Sequence, residues 1–297
     1  MKIELVKKLT PKERFIYWIK ERHEIYLRRK AGQPKPWTDD LVLQTVFFTN
    51  PYRENDKTTV WFREHFRDEY KDDPRILFAT ICFRWFNLIS TGEVLKESGL
   101  LLNWNEAKAV RTLSKIRDRK EAVFTGAYMI KSPEGLAKIE GISGCITNVW
   151  NDRKRLQQFS EDATTQEVVC DELDKYPFLG GFMGYEIVTD LTHTYYLRKA
   201  KDRMTWCNIG PGSSRGLMRM AGIVPPNNRF GKQKRHNKVP PDWKARMIKL
   251  LSYTENQLGN YLPHTDMRLI EHSICEWDKY ERALWGQGRL KRMYDGG

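Results

Sequence analysis

Residues 176–217 read YPFLGGFMGYEIVTDLTHTYYLRKAKDRMTWCNIGPGSSRGL, a stretch with two glycine turns and an apolar segment that carries two acids. The pair Gly180-Gly181 predicts a tight turn, because glycine adopts positive φ and lets another backbone come close. From Phe182 to Leu191 the apolar residues form a broad helical stripe, which places Glu186 and Asp190 on one side. The stretch therefore predicts a turn followed by a helix with two carboxylates on a shared face.

The second turn, residues 208–216, reads NIGPGSSRG and leads into another predicted helix. Ser213 or Ser214 is the expected N-cap, and Arg215 lies near the helix start. Amides at such turns suit a DNA phosphate, and the candidates for this contact are Gly180, Gly181, Gly210, Gly212 and Ser213. The alternative is that both turns only connect core helices.

Charge points to an anionic partner. The 297 residues contain 51 Lys and Arg against 38 Asp and Glu, a formal net charge of +13. Nucleic acid is the first candidate partner, and a solvated basic surface is the alternative. The five cysteines are scattered without a CxxC spacing, which predicts a reduced compartment and no structural zinc.

Missing motifs argue against a P-loop kinase, a nicotinamide enzyme, a thermolysin-like protease and an α/β-hydrolase. The sequence contains no Walker loop, no Rossmann fingerprint, no HExxH and no GxSxG. The N-terminus lacks a continuous apolar region, and no long uncharged apolar run follows, so we expect a cytoplasmic protein without a membrane partner.

Helical signals dominate the chain and β signals are weak, which predicts an all-α fold. The predicted helices cover Pro11–Arg29, a segment from Asp39 capped by Thr38, a segment from about Lys57, Pro74–Ser90, Asn105–Arg119, starts at Ser132-Pro133-Glu134 and Thr164-Thr165, and two helices split near Leu262-Pro263-His264. Residues 223–241 read as a basic surface loop, which either follows a DNA backbone or is an ordinary loop.

A dense polar segment, residues 48–59, lies between two aromatic-rich segments. Arg53 could bind phosphate, and Glu54 or Asp56 could accept a proton or cap the next helix. An internal network of arginine and carboxylate that anchors the turn is the alternative. The polar segment also contains Asn50, a candidate for substrate binding.

Two further groups of polar residues are candidates. Arg84 and Asn87 lie among aromatic residues, and a buried arginine needs a partner, for which a carboxylate of this chain is favoured over a ligand. On helical spacing His272, Glu276 and Lys279 share a face, with Glu271 at its side. That face either binds substrate or faces solvent.

Five segments carry a resemblance to a known family. They are FFTNPYRENDKTT from Phe47, CFRWFN from Cys82, FTGAYMI from Phe124, the stretch from Gly180 to Leu217, and IEHSICEWDKY from Ile270. In this order they resemble the phage alpha-glutamyl/putrescinyl thymine pyrophosphorylases, which are amino acid:DNA transferases and are similar to the helical domain of 5-hydroxymethyluracil DNA kinases. The segment LGGFMGYEIVTDL also resembles a divergent helix-hairpin-helix of DNA glycosylases, with Asp202 at about the distance of their catalytic aspartate.

The resemblance implies a glycosylase-like helical fold over residues 1–297, either as a single catalytic domain or as two lobes with the pocket between them. It implies an enzyme in the cytoplasm of a phage host that binds DNA containing a modified thymine. An amine of an amino acid or polyamine would displace pyrophosphate from 5-pyrophosphorylated hydroxymethyluracil. No cofactor is evident, although Mg²⁺ stays an alternative because pyrophosphate commonly recruits it. A DNA glycosylase and a non-catalytic DNA-binding protein are the alternatives.

The residues expected to carry this chemistry follow from the same resemblance. The candidate catalytic acids are Glu54, Asp56, Glu186 and Asp202. The candidates for substrate binding are Asn50, Arg53, Arg84, Asn87, Asp190, Arg215, Glu271, His272, Glu276 and Lys279.

Overall fold

The computed structural model describes residues 2–225 and 241–287. Within these ranges the chain is helical and contains no β-strand, which confirms the all-α prediction. It divides into two compact units: unit 1 comprises Met1–Asp56 with Met204–Gly297, and unit 2 comprises Lys57–Arg203. The choice between a single domain and two lobes stays a prediction.

The described residues form fifteen α-helices. In chain order they are α1 (Ile3–Lys8), α2 (Pro11–Lys30), α3 (Leu41–Thr45), α4 (Lys57–Phe62), α5 (Asp68–Tyr70), α6 (Arg75–Phe86), α7 (Ile89–Glu97), α8 (Glu106–Asp118), α9 (Lys138–Asn151), α10 (Arg153–Asp162), α11 (Gln166–Leu173), α12 (Phe182–Leu191), α13 (Pro211–Met220), α14 (Trp243–Leu258) and α15 (Met267–Leu284). A π-helical segment, Arg63–Arg67, joins α4 to α5.

The central stretch folds as predicted at its first turn. Gly181 has a φ of 60° and is the N-cap of α12, which begins at Phe182. A Cβ on Gly180 would overlap the carboxylate of Asp174. Gly181 is therefore needed for its backbone angle, whereas the exposed Asp174 side chain can move away from a Cβ at position 180. In unit 2, α11 packs on α12 across this turn; the glycosylase-like form of the fold stays a prediction.

Three predicted helix starts are wrong. The helix after Ser132-Pro133-Glu134 begins only at Lys138, without a side-chain cap. Asp40, not Thr38, caps α3, because its carboxylate accepts from the amides of Val42 and Leu43 while the Thr38 hydroxyl accepts from the Asp40 amide.

The third error concerns the second glycine turn. Helix α13 begins at Pro211 with Gly210 as N-cap, so neither Ser213 nor Ser214 is the cap. Proline at the first helical position has no amide hydrogen to satisfy and starts the helix earlier than the serines suggested. Both serines lie inside α13 and are buried.

Close packing of α13 on α15 sets the core of unit 1, and we expect Gly216→Ala to disturb it. A Cβ on Gly216 would lie 2.5 Å from the carbonyl oxygen of Ile274. Since that neighbour is backbone, the helices must separate, and we expect a loss of about 1–3 kcal/mol in the free energy of unfolding. Gly210→Ala is the control, because no atom lies within 4 Å of its Cβ. Equal urea midpoints for the two variants would contradict the prediction.

Among the described residues, no helix combines the length and apolar character needed to cross a bilayer.

Candidate functional site

The polar segment after α3 folds into a compact turn in unit 1. Residues Arg53–Asn55 form one 3-10 turn that leads to Asp56. The Asp56 Oδ1 atom accepts from both the backbone amide and the side-chain Nδ2 of Asn50, each at 3.0 Å. Asn50 Nδ2 also donates to the carbonyl of Asn55 at 3.0 Å. Two predicted site residues, Asn50 and Asp56, are thus in direct contact.

The second oxygen of Asp56 and the amide oxygen of Asn50 remain available. Within the described part of the chain, no hydrogen bond reaches Asp56 Oδ2, and the buried Oδ1 of Asn50 has no partner. A buried acceptor without a donor costs free energy, so such an atom is a candidate to meet a substrate donor. This turn therefore contains two oxygen acceptors without a hydrogen-bond donor.

The electrostatics of Asp56 are unusual for a carboxylate. Burial raises the pKa of Asp56 to about 6, and the hydrogen bonds from Asn50 and the positive charges of Arg53 and Arg22 only partly oppose that rise. Desolvation penalises the charged form, and it is the dominant cause here. The result is a carboxylate that is more basic than usual and still mostly ionised at neutral pH.

Thr49 joins this turn to one face of α15. Its amide donates to Glu276 Oε2 at 3.1 Å, and its hydroxyl lies 2.8 Å from His272 Nε2. Glu276 Oε2 also accepts from Lys279 Nζ at 2.9 Å. The predicted face of His272, Glu276 and Lys279 therefore contacts the residue next to Asn50.

Two more predicted residues of unit 1 are engaged with α15. The Ser213 hydroxyl donates to the Glu271 carboxylate. Arg215 Nε donates to Asp278 Oδ2 at 2.8 Å, and Arg219 Nε donates to the other oxygen of Asp278 at 2.8 Å. Asp278 is fully buried and holds α13 to α15, so Arg215 contributes to packing in addition to any ligand contact.

In unit 2 the buried Arg84 finds its partner within the chain, as the sequence favoured. Its guanidinium binds both oxygens of Asp190, with Nη2 at 2.9 Å from Oδ1, and it donates to Asn87 Oδ1 at 2.7 Å and Thr59 Oγ1 at 3.2 Å. Arg67 Nη1 donates to the same carboxylate at 3.3 Å. A ligand would have to displace these bonds to reach Arg84, so its substrate role stays a prediction.

The other acids of unit 2 have different surroundings. Glu186 is buried on α12, on the same helix as Asp190. Asp202 accepts from the amides of Gln166 and Glu167 at 2.9 Å and 3.0 Å, which are the first two amides of α11. Its carboxylate therefore satisfies a helix N-terminus, a task that accounts for its burial without a catalytic role.

The glycines predicted to contact DNA have different surroundings, and their contact with DNA stays a prediction. Gly212 packs against Cys275, whose Sγ atom would lie 2.2 Å from an added Cβ, which explains this glycine by packing alone. Gly181 and Gly210 face open space. Of the predicted basic loop 223–241, residues 226–240 lie outside the described residues.

No group of three or more His, Cys, Asp or Glu residues arranged to hold a metal ion occurs among the described residues. The sequence reasoning missed Thr49, Asp278 and Arg22. Thr49 lies within the polar segment and Asp278 directly precedes Lys279, so nearness in sequence to predicted residues was the available signal for both. Arg22 gives no local signal, since it lies in an ordinary basic helix.

Comparison with known proteins places this chain in a family. Residues 11–289 match the family described as "5-hmdU DNA kinase, helical domain". The chain belongs to this family. A 5-hmdU DNA kinase of Bacillus phage SP10 is 28% identical over 220 residues, which cover 66% of this chain. Those residues are 34% of the relative, so the chain spans about a third of its length.

No solved structure matches the chain. Membership in the 5-hmdU DNA kinase helical-domain family therefore rests on sequence. The family match includes the Asn50–Asp56 turn, the Arg84–Asp190 network and the α15 face.

Proposed function

We propose that this protein is a transferase of phage DNA thymine hypermodification, in which an amine displaces pyrophosphate from 5-pyrophosphorylated hydroxymethyluracil in DNA. The observation that carries the proposal is Asp56, a carboxylate with one oxygen held by Asn50, the other open, and a pKa raised to about 6. Such a group suits proton abstraction from an amine near neutral pH.

The proposed reaction is a substitution at the exocyclic methylene carbon of the base. The amine nitrogen forms a bond to the exocyclic methylene carbon, and the bond from that carbon to the pyrophosphate oxygen breaks. Pyrophosphate leaves with the electron pair, and the proton of the amine passes to Asp56 Oδ2. The N-glycosidic bond is untouched.

Family membership supports a modified-uracil substrate, because the family is that of 5-hmdU DNA kinases. These 297 residues contain no Walker A loop. We therefore assign to them the displacement of pyrophosphate and not phosphoryl transfer of the P-loop type. The formal charge of +13 favours DNA as the bearer of the base.

The face of α15 is proposed to orient the co-substrate. Glu276 and Lys279 present opposite charges beside Thr49, with a separation of 2.9 Å between Nζ and Oε2. An amino acid carries the complementary pair of charges, so we favour an amino acid over a polyamine as the amine donor.

The test is mass spectrometry of nucleosides after incubation of the protein with DNA that carries pyrophosphorylated hydroxymethyluracil and with glycine, glutamate or putrescine in separate reactions. We expect a nucleoside heavier by the amine, together with released pyrophosphate and an intact DNA strand. Unmodified thymine DNA is the control.

Each alternative gives a different result. Free base with abasic sites would identify a DNA glycosylase and overturn the proposal. Retained DNA binding with neither product, for every amine, would identify a binding module and overturn it as well.

A further inference from the structure

A cavity of about 290 Å³ lies in unit 1, at the C-terminal half of α2 and the chain that follows it. Its volume is near the lower end of small-ligand sites, which span about 300–1,000 Å³. Its lining includes the buried apolar side chains of Ile25, Leu43 and Val46, whereas Arg29 and Lys35 are exposed. The described lining residues are Arg22, Ile25, Arg29, Lys35, Pro36, Trp37, Thr38, Leu43, Gln44, Val46, Phe47 and Phe48.

The charge of this cavity has one sign. Arg22, Arg29 and Lys35 line it, and none of the described lining residues is acidic. The cavity thus concentrates positive charge that would attract an anion and repel a polyamine.

Aromatic rings accompany these cations. The guanidinium of Arg29 and the Nζ atom of Lys35 each lie 5.1 Å from the centroid of the Trp37 ring. Phe47 is 37% exposed and Phe48 is buried. Rings beside cations are the arrangement with which proteins bind a base and its phosphate, because the ring stacks on the base and the cation pairs with the phosphate.

The cavity is linked to the turn around Asp56 by Arg22 and by the segment from Phe48 to Asn50. Arg22 lines it, donates to the carbonyl of Phe48 at 3.3 Å and 3.1 Å, and contributes positive charge felt by Asp56. Phe48 is followed directly by Thr49 and Asn50. Lys279 Nζ lies 4.7 Å from the Phe48 ring. A ligand in the cavity would therefore lie beside the residues that hold Asp56.

We infer that this cavity binds a pyrimidine base together with its phosphate groups, and that in the proposed reaction its occupant is the pyrophosphorylated base of the DNA substrate. The first part stands on the cavity alone, and the second rests on the proposed function. Arg29 and Lys35 pair with the pyrophosphate, Arg22 adds charge from the buried side, and the exposed ring of Phe47 stacks on the base. The amine donor then binds outside the cavity, at the α15 face.

The test is isothermal titration calorimetry of the full chain at a fixed salt concentration with dUDP, inorganic pyrophosphate and putrescine. We expect dUDP to bind about tenfold or more tightly than pyrophosphate, because the base adds stacking, and we expect no binding of putrescine. Arg29→Ala should weaken dUDP binding about tenfold or more. Arg246→Ala is the matched control, an exposed arginine of unit 1 that pairs with Asp242, and should bind dUDP within about twofold of wild type.

Competition decides the source of the base. A single-stranded oligonucleotide with one pyrophosphorylated hydroxymethyluracil should displace dUDP, whereas failure to displace it would overturn the DNA-base occupant. Equal affinities of dUDP and pyrophosphate, or full dUDP binding by Arg29→Ala, would overturn the cavity assignment. Full amine transfer by Arg29→Ala would refute the cavity and leave the proposed function standing. Binding of dUDP that depends on Arg29, without any transfer, would refute the proposed function and leave the cavity standing.

Discussion

Replacing Asp56 by Asn is expected to lower kcat/KM for amine transfer by about 10²–10⁴-fold, the range that a positioned general base contributes. Asparagine keeps an oxygen for the Asn50 amide but cannot accept the proton. In the wild type, kcat/KM should rise as pH increases through about 6, where Asp56 ionises, and the rise should be absent in the variant. Rates of nucleoside formation between pH 5 and 8 measure both effects.

Stability provides an independent readout for the same substitution. The pKa of Asp56 is raised in the folded state, from 3.8 to about 6. The folded protein therefore binds this proton more tightly than the unfolded chain, and the associated stability is lost as pH rises from about 4 through 6. Asp56→Asn should remove this loss and be more stable than wild type at pH 8, by on the order of 3 kcal/mol.

Asp39→Asn is the control for both measurements, because Asp39 is an exposed acid of the same unit. It should leave the rate and its pH profile unchanged. A wild-type rate for Asp56→Asn would remove Asp56 from the mechanism. A variant that lost activity without losing the rise near pH 6 would show that another group titrates there.

Asp190→Asn is expected to destabilise the protein by about 3–5 kcal/mol, the cost of leaving a buried cation without its counter-ion. Asp190 is fully buried and binds Arg84 through both oxygens and Arg67 through one. The guanidinium of Arg84 also lies 5.7 Å and 5.4 Å from the rings of Phe62 and Phe83, so water cannot readily replace the lost charge. Urea unfolding followed by circular dichroism measures the change.

A second bidentate pair of the same unit supplies the control. Arg75 binds both oxygens of Asp73, but its side chain is 53% exposed. Solvent screens such a pair, so Asp73→Asn should leave the unfolding free energy almost unchanged. Equal losses for Asp73→Asn and Asp190→Asn would show that burial does not set the strength of the Arg84–Asp190 pair.

The site could be read from sequence only in part. The segment around Asn50 and Asp56 was predicted as polar and dense, and the face of His272, Glu276 and Lys279 followed from helical spacing. Their meeting through Thr49 could not be predicted, since it joins residues 223 and 227 positions apart. The raised pKa of Asp56 depends on burial, which the polar local sequence does not indicate.

Local chemistry by itself determined the helix Phe182–Leu191, because the Gly180-Gly181 turn and the apolar stripe lie within 12 residues of each other. Where two local signals competed, as with Pro211 against Ser213, the prediction from sequence gave the wrong helix start. Only the tertiary structure decided that Asp190 on that helix holds Arg84, 106 residues away, while Asp56 keeps an open oxygen. Long-range packing decides this, because a charge that is buried away from water needs a partner, and that partner can be distant in sequence.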